Sequence, residues 1–312
     1  MNYAVLFPGQ GSQSVGMGSD LFDRRPDLLG ATADDILGWS LREMCLEGAE
    51  EALTRTEHAQ PALYAISYAL WAEFSPGLTA PPAAAAGHSL GEYTALAASG
   101  VLEYFDGLRV VAARGRAMAA AADRAPSGMA ALIGADPAAA VAFAAARRSA
   151  GGRLWVANLN APGQVVVAGG LDDIAWVIAN AADHGIRRAV ALKVAGGFHS
   201  PYMEPAAAEL AAAVAGVATH PGAFPVWANA TALPHGDDVA PMLVAQLTAP
   251  VRFAESLVAI AATGVEGFVH VGPGDVTAGL ARRSVEGTEI LAVSSVGDFA
   301  AAANRLAAPS VS

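Results

Sequence analysis

Apolar and polar positions along this chain follow two periods. The unbroken apolar run Tyr3–Phe7 reads as a buried strand, closed by the turn Pro8-Gly9-Gln10-Gly11. Helical spacing follows, including Pro61–Phe74. Residues 83–86 form another short apolar run, led in by Pro81-Pro82, and Glu92–Ser99 is helix-forming. Tyr104, Leu108, Val111 and Met118 mark one face of a long helix.

The pattern changes between Met129 and Val194. Met129–Ile133 reads as a strand, and Asp136-Pro137 as a helix start with proline in the first turn. Leu154–Leu159 and Gln164–Ala168 read as strands joined by a turn at Asn160-Ala161-Pro162-Gly163. Asp172–His184 is helical and Arg188–Leu192 a strand. This β-α-β-β-α-β order is that of a ferredoxin-like module. Helix and strand signals resume after it, as expected of an insertion. Only the tail from about Ala307 looks loose.

Composition sets the scale. The chain has 312 residues, 54% of them hydrophobic and 15% charged, enough for one large unit with a smaller insert. The apolar excess is largely alanine, so a mean hydropathy of +0.39 does not signal a membrane, and no run approaches the ~18 apolar residues of a spanning helix. Met1-Asn2-Tyr3-Ala4 lacks a basic region, so no signal peptide is expected. Cys45 is the single cysteine, which excludes disulfides within the chain and fits a cytoplasmic location. The seven histidines are scattered, with no metal-ligand spacing, so no metal is expected.

A net charge of −11 argues against nucleic acid. The charge is uneven: Ser127–Ala195 carries a net +2, from six bases (Arg147, Arg148, Arg153, Arg187, Arg188 and Lys193) against four acids (Asp136, Asp172, Asp173 and Asp183). Such an island would suit an acidic partner, or would simply solvate a small subdomain.

The chemistry centres on Gly87-His88-Ser89-Leu90-Gly91, at a strand-to-helix junction. A G-x-S-x-G there puts the serine on a strained turn with its hydroxyl above the sheet edge, so Ser89 is the candidate nucleophile. Its base would be His199, in the glycine-rich loop Ala195–Pro201. His88 should turn away and be structural, and His58, His184, His220, His235 and His270 have no constellation around them. Oxyanion donors would come from the backbone of Leu90 and from the loop Gly9–Gln13. Arg114 lies ~40° around its helix from Met118, beside the apolar stripe, with Arg109 and Arg116 on the far side. An inward arginine needs an anion: a substrate carboxylate, or an internal Asp or Glu.

Together these residues resemble the malonyl-CoA:acyl carrier protein transacylases, especially the discrete acyltransferases that serve polyketide synthases in trans. The motifs, in order, are Gly9-Gln10-Gly11-Ser12-Gln13, Gln60-Pro61-Ala62-Leu63, Gly87-His88-Ser89-Leu90-Gly91-Glu92-Tyr93, and Arg114-Gly115-Arg116-Ala117-Met118. Asn158–Gln164, Phe198-His199-Ser200, Gln246-Leu247 with Pro250-Val251-Arg252-Phe253, and Val271-Gly272-Pro273-Gly274 complete the series. The resemblance implies an α/β fold, with an α/β-hydrolase-like large subdomain at 1–126 and 196–312 and the ferredoxin-like small subdomain at 127–195. It implies that Ser89 takes an acyl group from coenzyme A and passes it to the phosphopantetheine thiol of an acidic acyl carrier protein. His199 would be base and then acid. Gln10 and Leu90 would supply oxyanion donors, and Gln246 would orient His199. Arg114 would hold the malonyl carboxylate, with Gln60, Met118 and Phe198 lining the acyl site. No permanent cofactor, no membrane and a monomer are expected, and Arg147, Arg148, Arg153, Arg187 and Arg188 are candidates for carrier docking.

Two departures stand out. Gly196-Gly197 precedes Phe198, where malonyl-specific relatives more often carry a side chain, and this would let the Phe198 ring swing aside. His270 and Asp275 place unusual charges beside the Val-Gly-Pro-Gly turn. The alternatives are transfer of a substituted malonyl or aminoacyl group between carriers, and a serine esterase or editing thioesterase. Arg114 separates the last, since a neutral acyl chain has no use for a buried cation.

Overall fold

The computed structural model describes residues 1–308. Beyond Ala308 the expected loose tail lies outside the described residues; the last helix, Phe299–Ala307, packs Ala302 and Leu306 into the core.

Two sheets organise the chain. The first takes β1 (Tyr3–Phe7), β2 (Ala84–Gly87), β7 (Val226–Ala228), β8 (Leu233–Pro234), β9 (Gly267–Val271) and β10 (Glu289–Val293) in the order β10-β9-β1-β2-β7-β8. All pairings are parallel except β7 with β8. β1, β2 and β9 are buried along their whole length, and β1 and β2 accordingly read as continuous apolar runs rather than alternating ones. The carboxyl ends of β1 and β2 lead into the Gly9–Gln13 loop and the Ser89 turn, so both expected site segments open on one edge.

The second sheet is antiparallel, with β3 (Ser127–Ile133), β4 (Leu154–Ala161), β5 (Gln164–Gly170) and β6 (Arg188–Ala191) in the order β4-β5-β3-β6. Helices Pro137–Ser149 and Leu171–Asn180 complete the ferredoxin-like order. Asp136 caps the first by accepting from the Ala139 N–H at 2.8 Å, a contact worth about 1 kcal/mol. Alternation along β3 separates two faces. Ala130 and Leu132 join Phe143, Leu154, Val165 and Val177 in a core of their own, whereas Met129 and Ala131 join the main core. β4 is tied to the rest of the chain by Val251, whose N–H donates to Ala157 O while its carbonyl accepts from the Leu159 N–H, both at 2.8 Å.

Two helices back the Ser89 turn. Thr56–Phe74 starts before Pro61, which forfeits one intrahelical bond inside it; near-complete burial of that helix outweighs the loss. Tyr104–Arg124 packs along it. Among the described residues no helix is long and apolar enough to cross a membrane.

Candidate active site

Ser89 stands between β2 and the helix Gly91–Ala98 with φ +52°, the left-handed conformation an L-residue rarely adopts. The flanking glycines are required by contact. A Cβ on Gly87 would lie 1.8 Å from the Gly91 carbonyl carbon, and one on Gly91 would lie 2.2 Å from Phe7 O. The turn is gripped from outside by Asn229. Its Oδ1 accepts from the Ser89 N–H at 2.7 Å, and its Nδ2 donates to Gly87 O at 2.7 Å.

His199 also has a positive φ, +56°, and is buried. Its Nδ1–H donates to the backbone carbonyl of Gln246 at 2.8 Å, leaving Nε2 to accept from the Ser89 hydroxyl at 2.8 Å. Burial, then the neighbouring Arg114 cation, push the imidazole down to about 3, so it is neutral at pH 7. Gln246 therefore touches His199 through its main chain. Its side chain is used elsewhere: Nε2 donates to Ser89 O at 3.0 Å and Glu92 Oε2 at 2.7 Å, and Oε1 accepts from Arg114 at 2.9 Å.

Arg114 is fully buried, while Arg109 and Arg116 face solvent. Its guanidinium donates to Gln60 Oε1 at 2.6 Å, Ser89 Oγ at 3.1 Å and Gln246 Oε1, and lies 5.3 Å from the centre of the Tyr93 ring. Burial pulls its pKa down, opposed by Tyr93 and Glu92. No carboxylate pairs with it directly among the described residues, although an internal Asp or Glu was one of the two anions the sequence left open. Gln60 completes its amide by donating to Met118 Sδ at 3.4 Å.

Ser89, His199, Arg114, Gln60 and Met118 line a cleft of about 390 Å³ between the two sheets, together with Gln10, Leu90, Asn160, Gln164, Phe198 and the segment Leu192–Val194. Among the described residues the Ser89 N–H is taken by Asn229, whereas the backbone N–H groups of Gln10 and Leu90 have no protein acceptor. Phe198 is 6% exposed. The space a side chain on either preceding glycine would take is already occupied. A Cβ on Gly196 would lie 2.7 Å from Ala122 Cβ, and Gly197 packs on Ser127 and Tyr202 while its N–H donates to Ser127 Oγ at 2.9 Å.

Several histidine readings change. His88 is structural, with Nε2 2.7 Å from Asn160 Oδ1 and its ring against Phe253, although it also borders the cleft. His235 has a partner after all, Glu92, at 2.8 Å. His270 is buried between Thr277 Oγ1 at 2.6 Å and Gly272 O at 3.0 Å, and burial lowers its pKa. It thus fastens the Val-Gly-Pro-Gly turn to the following helix as a neutral group. Cys45 is buried and its thiol is pushed up to about 12 by burial, which makes it a poor nucleophile. No group of three or more His, Cys, Asp or Glu that could hold a metal ion occurs among the described residues.

The basic island is less uniform than its sequence suggests. Arg147 is committed to Asp173 at 2.7 Å, Arg148 donates to Leu154 O, and Arg153 lies 4.4 Å from the Tyr202 ring centre. Arg187 and Arg188 are exposed, on the segment that runs on into the cleft wall at Leu192–Val194. Asn229, Glu92 and Asn160 were missed as site residues. The signal for each was a polar side chain inside or directly after an apolar element.

Comparison with known proteins agrees with this geometry. The malonyl CoA-acyl carrier protein transacylase of Bacillus subtilis is 38% identical over 296 residues, covering 93% of both chains. The polyketide biosynthesis protein ThaF of Burkholderia thailandensis is 40% identical over 90% of this chain, which spans 24% of that longer protein. The crystal structure of the malonyl-CoA:acyl carrier protein transacylase of Xanthomonas oryzae pv. oryzae superposes with a TM-score of 0.91 at 37% identity, over 98% of this chain and 99% of that one. A malonyl-transacylase solved in complex with its type II polyketide acyl carrier protein gives 0.91 at 34% identity, over 98% and 100%. The acyl transferase domain family matches residues 5–302, and with a serine, a histidine and a buried arginine converging in one cleft, the chain belongs to that family.

Proposed function

We propose that this chain transfers a malonyl group from coenzyme A, through an ester on Ser89, to the phosphopantetheine thiol of an acyl carrier protein in fatty-acid or polyketide synthesis. The observation that carries the reading is Arg114: a fully buried guanidinium 3.1 Å from the nucleophilic oxygen. Nothing in the hydrolysis of a neutral acyl chain needs that cation. A free carboxylate two bonds beyond the thioester carbonyl does.

Neutral His199 takes the Ser89 proton as Oγ bonds to the thioester carbon. The negative charge on the carbonyl oxygen goes to the N–H groups of Gln10 and Leu90, where each donor contributes about 2.7–4 kcal/mol to the barrier reduction. The C–S bond breaks, and His199 returns its proton to the coenzyme A sulfur. The carrier thiol then gives its proton to His199 and attacks the ester carbon, and Ser89 Oγ leaves, taking that proton back from His199. Gln60 and Gln246 hold Arg114 where the malonyl carboxylate arrives. We assign 1–126 with 196–312 to the large subdomain and 127–195 to the small one, and place the reaction in the cytoplasm.

The depressed His199 pKa has a signed consequence. Single-turnover acylation should show no loss between about pH 7 and pH 5, where an ordinary imidazole would titrate near 6.5. The unfolded chain binds that proton more readily than the folded one. Its contribution to stability is therefore full above about pH 6.5 and falls as pH drops towards 3. Rapid-quench rates across this range check the point; an acid limb centred near 6.5 would contradict it.

Docking is assigned to Arg187 and Arg188, with Lys193 at the cleft wall, since Arg147 is already paired. Arg187→Glu should raise KM for the carrier roughly two- to fivefold and leave acylation by malonyl-CoA unchanged. Added salt should act in the same direction. A carrier KM indifferent to both would reduce the cluster to a solvated surface.

A further inference from the structure

We propose that Glu92 and His235 form a buried positioning pair, which holds the Gln246 amide in the orientation that serves Arg114, with His235 acting from the wall of a second cavity. The inference rests on the acyl-transfer reading above. Glu92 lies in the first turn of the helix that follows Ser89 and is fully buried. A carboxylate so placed is tolerated only when its oxygens are bonded. Oε2 accepts from the Asn229 N–H at 2.8 Å and from Gln246 Nε2 at 2.7 Å, and Oε1 accepts from His235 Nε2 at 2.8 Å.

A carboxylate only accepts, so it dictates which way the Gln246 amide points. The NH₂ must face Glu92, and the carbonyl oxygen must then face the Arg114 guanidinium, as found at 2.9 Å. The flipped amide would set NH₂ against guanidinium and carbonyl against carboxylate. The buried cation and the buried anion are thus joined through one amide whose direction each requires. Glu92 also reaches the nucleophile by another route, because the Asn229 it holds accepts the Ser89 N–H. Neither Glu92 nor His235 lines the acyl cleft, so their action is indirect.

His235 secures the remaining carboxylate oxygen. Its side chain is 4% exposed, and a ring nitrogen 2.8 Å from a carboxylate must donate. It borders a cavity of about 500 Å³ shared with Leu96, Val101, Phe224 and Val239, which Ser89, His199 and Arg114 do not line. Without the imidazole, Oε1 would open onto that cavity and the carboxylate would be free to turn away from Gln246.

The test is single-turnover acylation of Ser89 by malonyl-CoA and by acetyl-CoA, with thermal melting alongside. Only malonyl uses the Arg114 carboxylate site, so the malonyl-to-acetyl rate ratio isolates positioning from general damage. His235→Ala should lower the malonyl rate about tenfold and the acetyl rate less, the size expected for one lost hydrogen bond to a charged group. His235→Gln, whose amide N–H restores a donor, should recover the ratio. An unchanged ratio in His235→Ala, whatever its melting temperature, overturns the proposal. If that variant does not fold, Glu92→Gln gives the same readout: a lowered ratio supports the pair and an unchanged one overturns it. Wild-type protein that malonyl-CoA does not label refutes the acyl-transfer reading itself, a failure seen before any substitution is made.

Discussion

Brief incubation with malonyl-CoA is expected to add the mass of one malonyl group to the wild-type chain and nothing to Ser89→Ala. The expectation follows from the geometry at Oγ. The hydroxyl donates to a neutral imidazole at 2.8 Å and accepts from a guanidinium at 3.1 Å, so proton removal and alkoxide charge are both provided for. Cys45, the single cysteine, is buried and does not line the cleft. His199→Ala keeps the hydroxyl but removes the acceptor, and should slow both half-reactions by ~10²–10⁴. Intact-protein mass spectrometry reads the adduct, and rapid quench reads the rates. Labelling that persists in Ser89→Ala would sink the mechanism.

Arg114→Ala should invert the preference between malonyl-CoA and acetyl-CoA. Wild-type protein is expected to take malonyl first, methylmalonyl more weakly and acetyl poorest. Two charge-assisted hydrogen bonds to a desolvated carboxylate are worth about 1.5–3 kcal/mol each, so their loss should cost the malonyl reaction 10²-fold or more. Acetyl-CoA makes neither bond. It loses only what both thioesters share, the Arg114 contact to Ser89 Oγ and the support of Gln60 and Gln246, which lose their common donor. Arg114→Lys should rescue little, because an ammonium cannot present the paired donors of a guanidinium. Methylmalonyl discrimination belongs to Phe198. Its ring is buried, and the two preceding glycines are packed against Ala122 and bonded to Ser127. One methyl group in such a pocket is worth about 1–3 kcal/mol, enough to rank methylmalonyl second without excluding it. Competition between the three thioesters gives the order directly. A variant that still prefers malonyl would show that Arg114 serves another anion.

Local pattern determined much of this protein. Tyr3–Phe7 is a strand with the bounds read from its apolar run, because a strand buried on both faces needs every side chain apolar. The insert's strand and helix order was legible because each element carries its own period and its own punctuation, such as the Asp136 cap. The strained turn at Ser89 was legible because it needs glycines in contact distance on either side, and those leave a mark in sequence. Arg114 was legible because helical geometry alone turns it inward.

Tertiary structure decided what depends on residues far apart in the chain. That Gln246 holds His199 by its carbonyl, and Arg114 by its side chain, follows from the packing of elements 47 and 132 residues apart. Glu92 looked like an ordinary first-turn acid until Asn229 and His235 folded onto it, and His235 looked solitary because its partner lies 143 residues away. Arg147 carries the same charge as Arg187, yet one meets Asp173 and the other faces solvent. Sequence periodicity reports which way a side chain leaves its own element. What it meets there is set by long-range packing, in which burial selects for partners that no local pattern encodes.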